Sequence, residues 1–126
     1  MRSHGSEYRP DEVFSGSPRG LELCRAVERM LADPGGGHAE VRVTKSQVAF
    51  RARRGFAYVW WPGRYVRSDV PAVLSIALSR RLESPRFKSV VNPRPGLWMH
   101  HLELHSEDDL DAEVAGWLRQ AWDDAG

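Results

Sequence analysis

Cysteine is almost missing: Cys24 is the single one in 126 residues. That excludes an internal disulfide framework and a cysteine-built zinc site. Long apolar runs are missing too. The longest mostly apolar stretch, Pro71 to Leu78, is far shorter than a bilayer crossing requires. Met1 to Pro10 has no apolar segment of the secretion-signal kind. Lysine is scarce, with sixteen of the eighteen basic residues being arginine. No G-x-S-x-G elbow, P-loop or dinucleotide fingerprint occurs, and Gly35-Gly36-Gly37 lacks the strand-to-helix setting and lysine of a phosphate cradle. These absences imply a cytoplasmic protein with no membrane association and no cofactor, and they lean away from an enzyme.

Hydrophobic residues at 41% and charged residues at 28% are the balance of a soluble globular chain, and the length suits one domain. The net charge of +1 hides segregation. Val41 to His100 holds twelve basic residues against two acids, Asp69 and Glu83. His101 to Gly126 holds eight acids against one base, Arg119. A basic middle segment is a footprint that nucleic acid or another polyanion can use.

Met1 to Glu12 is polar and aperiodic and reads as a disordered arm, leaving residues 13–126 as a single domain. Ser17-Pro18 is a helix start, a hydroxyl N-cap followed by proline at the first helical position. Leu23, Cys24, Val27, Met30 and Leu31 then recur at helical spacing. The helix should run to about Ala32, with Asp33-Pro34-Gly35-Gly36-Gly37 ending it. Four strand-like segments follow: around Val41–Thr44, Gln47–Arg53 and Phe56–Trp61, and a fourth that starts after Pro71 with Leu74, Ile76 and Leu78 on its inner face. Ser84-Pro85 opens a short helical turn to about Val91, Asn92 to Gly96 is a loop, and Trp98 to Leu104 is a fifth strand. Ser106 with Asp109 supplies a capping box for a last helix whose stripe is Leu110, Val114, Trp117, Leu118 and Ala121. The expected fold class is α+β, in the order α-β-β-β-β-(short α)-β-α. An antiparallel sheet of about five strands carries both long helices on one face.

Hairpin parity decides which residues the other face displays. A two-residue turn at Arg54-Gly55 pairs Arg53 with Phe56, Arg51 with Tyr58 and Ala49 with Trp60. Val48, Phe50, Ala52, Ala57, Val59 and Trp61 then pack under the helices, while Arg51, Arg53, Phe56, Tyr58 and Trp60 share the open face. A three-residue turn would reverse the display. Arginine beside aromatic rings suits stacking with flat or anionic ligands.

The fifth strand contains His100-His101-Leu102-Glu103-Leu104-His105. Alternation puts His101, Glu103 and His105 on one face, where they are weak candidates for a metal site. It puts His100 on the other face with Trp98, where a hydrogen-bonded core-edge ring is the simpler role. Cys24 lies on a buried stripe and reads as an inert core residue.

From Phe14 to Trp122 the chain resembles the domain of unknown function 5655 family. The carrying residues are Phe14-Ser15-Gly16, Val43-Thr44-Lys45 leading to Val48-Ala49-Phe50, Gly55-Phe56-Ala57, Trp98-Met99-His100-His101, and Ser106 to Asp111. The resemblance implies a compact α+β domain without an established catalytic activity. It singles out Thr44, Lys45, Trp98, His100 and His101 as motif positions and transfers no catalytic residue.

The leading functional expectation is a non-enzymatic binding module that takes an anionic partner, nucleic acid foremost, on a basic aromatic sheet face. Arg51, Arg53, Tyr58 and Trp60 are its expected contacts, with Lys45 and Arg42 positioning phosphates. A second expectation is an enzymatic or small-molecule site around Lys45, His100 and His101, which requires a pocket shared by all three. A third is a homo-oligomer that covers the aromatic face.

Overall fold

The computed structural model describes residues 8–32 and 39–126. The expected end of the first long helix at residues 33–37, and residues 1–7 of the expected arm, lie outside the described residues. Within the arm's remaining stretch, Pro10–Val13 forms one helical turn, α1, with Val13 in the core. The first long helix, α2 (Pro18–Leu31), starts as the sequence implies. Ser17 Oγ accepts from the Gly20 N–H and donates to the Pro71 carbonyl 3.0 Å away, so the cap also ties the helix to the sheet.

Six strands form one antiparallel sheet: β1 (Glu40–Val43), β2 (Val48–Arg51), β3 (Gly55–Trp60), β4 (Ala72–Leu78), β5 (Ser89–Arg94) and β6 (Leu97–Leu104), in the spatial order β1-β2-β3-β4-β6-β5. The helix α3 (Ala112–Ala125) packs beside α2 on one face. Leu23, Cys24 and Val27 of α2 and Val114, Leu118 and Ala121 of α3 meet Val43, Val48, Phe50, Ala57, Val59, Leu74, Ile76 and Leu102 in one core. Burial pushes the Cys24 thiol up to about 12, so it stays an unreactive packing group.

Three local expectations are corrected. The short helix proposed over Ser84–Val91 is absent: a turn at Ser84–Phe87 leads into β5, an exposed edge strand. Pro93 cannot donate to a ladder, but an edge strand has one unpaired side on which that costs nothing. The β5–β6 hairpin turns through Pro95 and Gly96, and Gly96 sits at φ +77°, where glycine is unstrained. Asn92 closes the hairpin by donating to the carbonyls of Arg94 and Leu97. The Ser106–Asp109 capping box exists, but it caps a single 3-10 turn at Glu107–Asp109. Asp111 caps α3 itself, accepting from the Val114 N–H at 3.1 Å.

The third correction concerns the β2–β3 hairpin. Its turn comprises three residues, Ala52 to Arg54, with the Ala52 N–H donating to the Arg54 carbonyl. Observed pairs are Val48–Val59, Ala49–Tyr58, Phe50–Ala57 and Arg51–Gly55. The last two pairs leave Phe56 as an extra residue on β3, a β-bulge. Phe56 is buried, not displayed, and packs edge-on against Trp122 of α3 at 5.5 Å between ring centroids. The odd turn and the extra residue cancel. Tyr58 and Trp60 therefore remain on the face away from the helices, displaced by two positions from the expected partners.

Candidate functional site

The open face is organised around β4. Its core-facing residues are large, Leu74, Ile76 and Leu78, whereas Val73, Ser75 and Ala77 point the other way. Those smaller side chains form a floor. Tyr58 and Trp60 on β3, opposite Ser75 and Val73, make one wall. Met99, His101 and Glu103 on β6, opposite Ala77, Ser75 and Val73, make the other. Three cavities lie along this floor and share wall residues. One, of about 450 Å³, is lined by Trp60, Val66, Arg67, Val73, Lys88 and Glu103 among others. The middle one, of about 350 Å³, is lined by Gln47, Tyr58, Trp60, Ser75, Met99 and His101. The third, of about 390 Å³, turns round the end of β4 toward the helix side and includes Arg51, Arg54, Tyr58, Ala77 and Arg94 with Asp124 and Ala125 of α3. Trp60 and His101 belong to the first two, and Tyr58 and Met99 to the last two. The result is a groove along β4, about 20 Å long at strand rise.

Its centre is held by a hydrogen-bond chain. Trp60 Nε1 donates to Ser75 Oγ at 2.9 Å, and Ser75 Oγ lies 2.7 Å from His101 Nδ1. Ser75 is buried and already accepts from Trp60, so its own proton is free for the imidazole; with Nδ1 as that acceptor, the ring proton sits on Nε2. Burial first, and the neighbouring His100 second, hold the His101 imidazole below the usual histidine range. His101 is thus a neutral wall residue. Trp60 and His101 rings also meet edge-on at 6.4 Å.

The expected site residues distribute as follows. Arg42, Arg51, Tyr58 and Trp60 share the open face; Glu40 lies 3.9 Å from Arg42 and 3.6 Å from Arg51. Arg53 stands exposed at the hairpin tip. Lys45 is exposed in the β1–β2 turn, away from the groove lining. Thr44 builds that turn: its hydroxyl accepts from the Ser46 N–H and donates to the Gln47 carbonyl, both at 3.4 Å. Trp98 faces the helix side opposite Leu78, with the Arg81 guanidinium 6.0 Å from its ring.

His100 has no open side. It is fully buried; its Nε2 accepts from the Leu82 N–H at 2.9 Å, and its Nδ1–H donates to the Ile76 carbonyl at 3.3 Å. Phe87 covers the ring at 4.8 Å. Desolvation lowers its pKa, so it is a neutral structural imidazole. His100 and His101 point to opposite faces, and the two cavities that His101 lines include neither His100 nor Lys45. A three-residue site is not assembled.

The proposed metal set also fails. His105 Nε2 lies 3.5 Å from Glu103, but His101 is turned to Ser75. No group of three ligating side chains among the described residues could hold a metal ion.

Sequence reasoning missed Ser75, Met99, Arg54 and Arg94. The alternation of β4 carried a weak signal for Ser75, a polar residue inside an apolar run. Nothing local could have joined Arg54 to Arg94, because only the strand order brings the two hairpin tips to one end of the sheet.

An α+β domain with two helices on one sheet face and a groove along the other is therefore the class that the geometry defines. The family model described as Domain of unknown function (DUF5655) matches residues 11–125, and the chain belongs to that family. No curated protein and no solved structure matches the chain. No helix among the described residues is long and apolar enough to cross a membrane.

Proposed function

We propose that this domain is a non-enzymatic binding module whose open-face groove takes a single strand of nucleic acid. The carrying observation is the groove itself: aromatic side chains at its middle and basic side chains at both ends. Arg67 and Lys88 serve one end, Arg51, Arg54 and Arg94 the other, and Tyr58 and Trp60 lie between. Phosphates pair with the cations, and bases pack on the rings with little regard to sequence. The flanking strands β3 and β6 lie about 10 Å apart, two sheet spacings, which suits one strand better than a duplex. Arg42 and Arg53 extend the basic margin, and the solvated Lys45 turn adds a peripheral phosphate contact. A cytoplasmic location follows from this reading, since that is where such partners are met.

Fluorescence anisotropy with labelled DNA and RNA strands of about a dozen nucleotides tests the proposal. Binding should weaken by one to two orders of magnitude between about 50 and about 200 mM salt, because neutralised phosphates release counterions. Tyr58→Ala should weaken binding roughly tenfold or more, through lost stacking. Absence of binding at low salt, or binding indifferent to salt, overturns the proposal.

A further inference from the structure

We infer that the arginine-lined end of the groove is a phosphomonoester subsite, so the domain prefers strands that carry a terminal phosphate. The inference rests on the groove reading and deepens it. The 390 Å³ cavity lies between two hairpin tips, Ala52–Arg54 and Pro95–Gly96, where β4 ends at Leu78. A strand following β4 meets its last cavity here.

Three guanidinium groups line that cavity, and each has donors to offer. Arg54 is anchored by one nitrogen: its Nη2 donates to the Asp124 carbonyl at 2.7 Å, at the negative end of α3. Its Nε and Nη1 have no hydrogen-bond partner among the described residues. Arg94 has no side-chain partner among the described residues, yet Asn92 pins its backbone. Arg51 is ion-paired through its shielded Nε with Glu40 at 3.6 Å, and its two terminal nitrogens have no hydrogen-bond partner among the described residues. One acid, Asp124, also lines the cavity, and its Oδ2 is occupied by the Ser79 N–H and hydroxyl at 3.0 and 3.1 Å.

Three guanidinium groups against Asp124, with Glu40 beside Arg51, leave a surplus of roughly one to two positive charges, which a phosphomonoester at about −1.5 to −2 neutralises more fully than a singly charged group does. A backbone phosphodiester carries a single charge, and so does a carboxylate. Planar guanidinium forks bind phosphate oxygens in pairs, which favours phosphate further. Tyr58, on the shared wall, would lie against the terminal base.

The test uses the full chain and two kinds of probe. Hexathymidylates ending in phosphate or hydroxyl are compared by anisotropy, and thymidine 5′-monophosphate is compared with thymidine by amide NMR. The phosphate-ended strand should bind roughly tenfold tighter, the size expected of charge-assisted hydrogen bonds. Arg94→Ala should abolish that preference: because Arg94 also belongs to the basic end of the groove, both strands should weaken, the phosphate-ended one by roughly tenfold more. Arg94→Lys, which keeps the charge and loses the fork, should restore only part of it. The monophosphate, unlike the nucleoside, should shift the amides of Gly55, Ser79 and Gly96.

Equal affinity for both strand ends, with no shift at those amides, overturns the subsite and leaves the groove reading standing. Shifts at those amides without any strand binding sink the groove reading and identify a free mononucleotide as the source of the phosphate. A preference that survives Arg94→Ala overturns the assignment to this cavity.

Discussion

Replacing His100 with alanine probes whether a motif histidine holds the fold. The substitution leaves the Leu82 N–H, now 2.9 Å from Nε2, without its acceptor, and frees the Ile76 carbonyl from Nδ1. An unsatisfied buried donor costs about 1–3 kcal/mol. The lost ring contact with Phe87 adds about 0.5–1.5 kcal/mol, and the vacated volume about 1 kcal/mol more. The sum is on the order of 3–5 kcal/mol, a large share of the ~5–15 kcal/mol that holds a domain together. Urea denaturation at pH 8 should show the midpoint falling by roughly 2 M, at a slope of about 2 kcal/mol per M.

The pH dependence gives a second readout of the same ring. His100 and His101 both have folded pKa values depressed from 6.5. As pH falls, the unfolded chain takes up the protons first. Their contribution is therefore complete above about 6.5 and is lost below it, down to the folded values, at up to about 1.4 kcal/mol per pH unit for each ring. His100→Ala should flatten the stability profile between about pH 7.5 and 5.5 by one such increment. A loss below about 1 kcal/mol at pH 8 together with an unchanged pH slope would refute the two-sided bonding of this ring.

Three further outcomes are expected. Long-range nitrogen–proton NMR should find opposite tautomers on adjacent residues, with the proton on Nδ1 of His100 and on Nε2 of His101; matching tautomers would show that Ser75 accepts from His101 instead of donating to it. Gly20→Ala should destabilise by at least about 2 kcal/mol in thermal melts, because the new methyl meets the Pro71 carbonyl, a backbone atom that cannot rotate away. At Gly55, alanine meets the Tyr58 hydroxyl, the far end of a movable side chain, so stability should change by about 1 kcal/mol or less while strand affinity falls. Equal losses of stability at the two glycines would show that this distinction is wrong.

Helices and inner strands were legible because their signals are local. Ser17-Pro18 marks its helix start by the chemistry of a cap, and the stripes of α2 and α3 follow the period of one turn. β5 was not legible, since Ser89–Arg94 is exposed along nearly its whole length and includes Pro93; its pairing with β6 forms it, not its own pattern. Two capping signals, Ser106-x-x-Asp109 and Asp111, stand five residues apart, and only the fold decides which starts the long helix. The exposed face of β3 was anticipated with the wrong turn, because a bulge is not written in alternation: Phe56 and Ala57 are both buried although they are neighbours. For the groove, the sequence offered Arg51, Tyr58 and Trp60. Its far wall and its arginine end come from strands some forty residues or more away.

The bulge at Phe56 offsets an odd-numbered bend at the tip of the β2–β3 hairpin. A residue gained or lost there is taken up within the tip, by the turn or by the bulge, because Tyr58 and Val59 are held in place from the other side by Ser75 and Leu74 of β4. The loop is thereby free to vary in length without turning the aromatic side chains of the groove over.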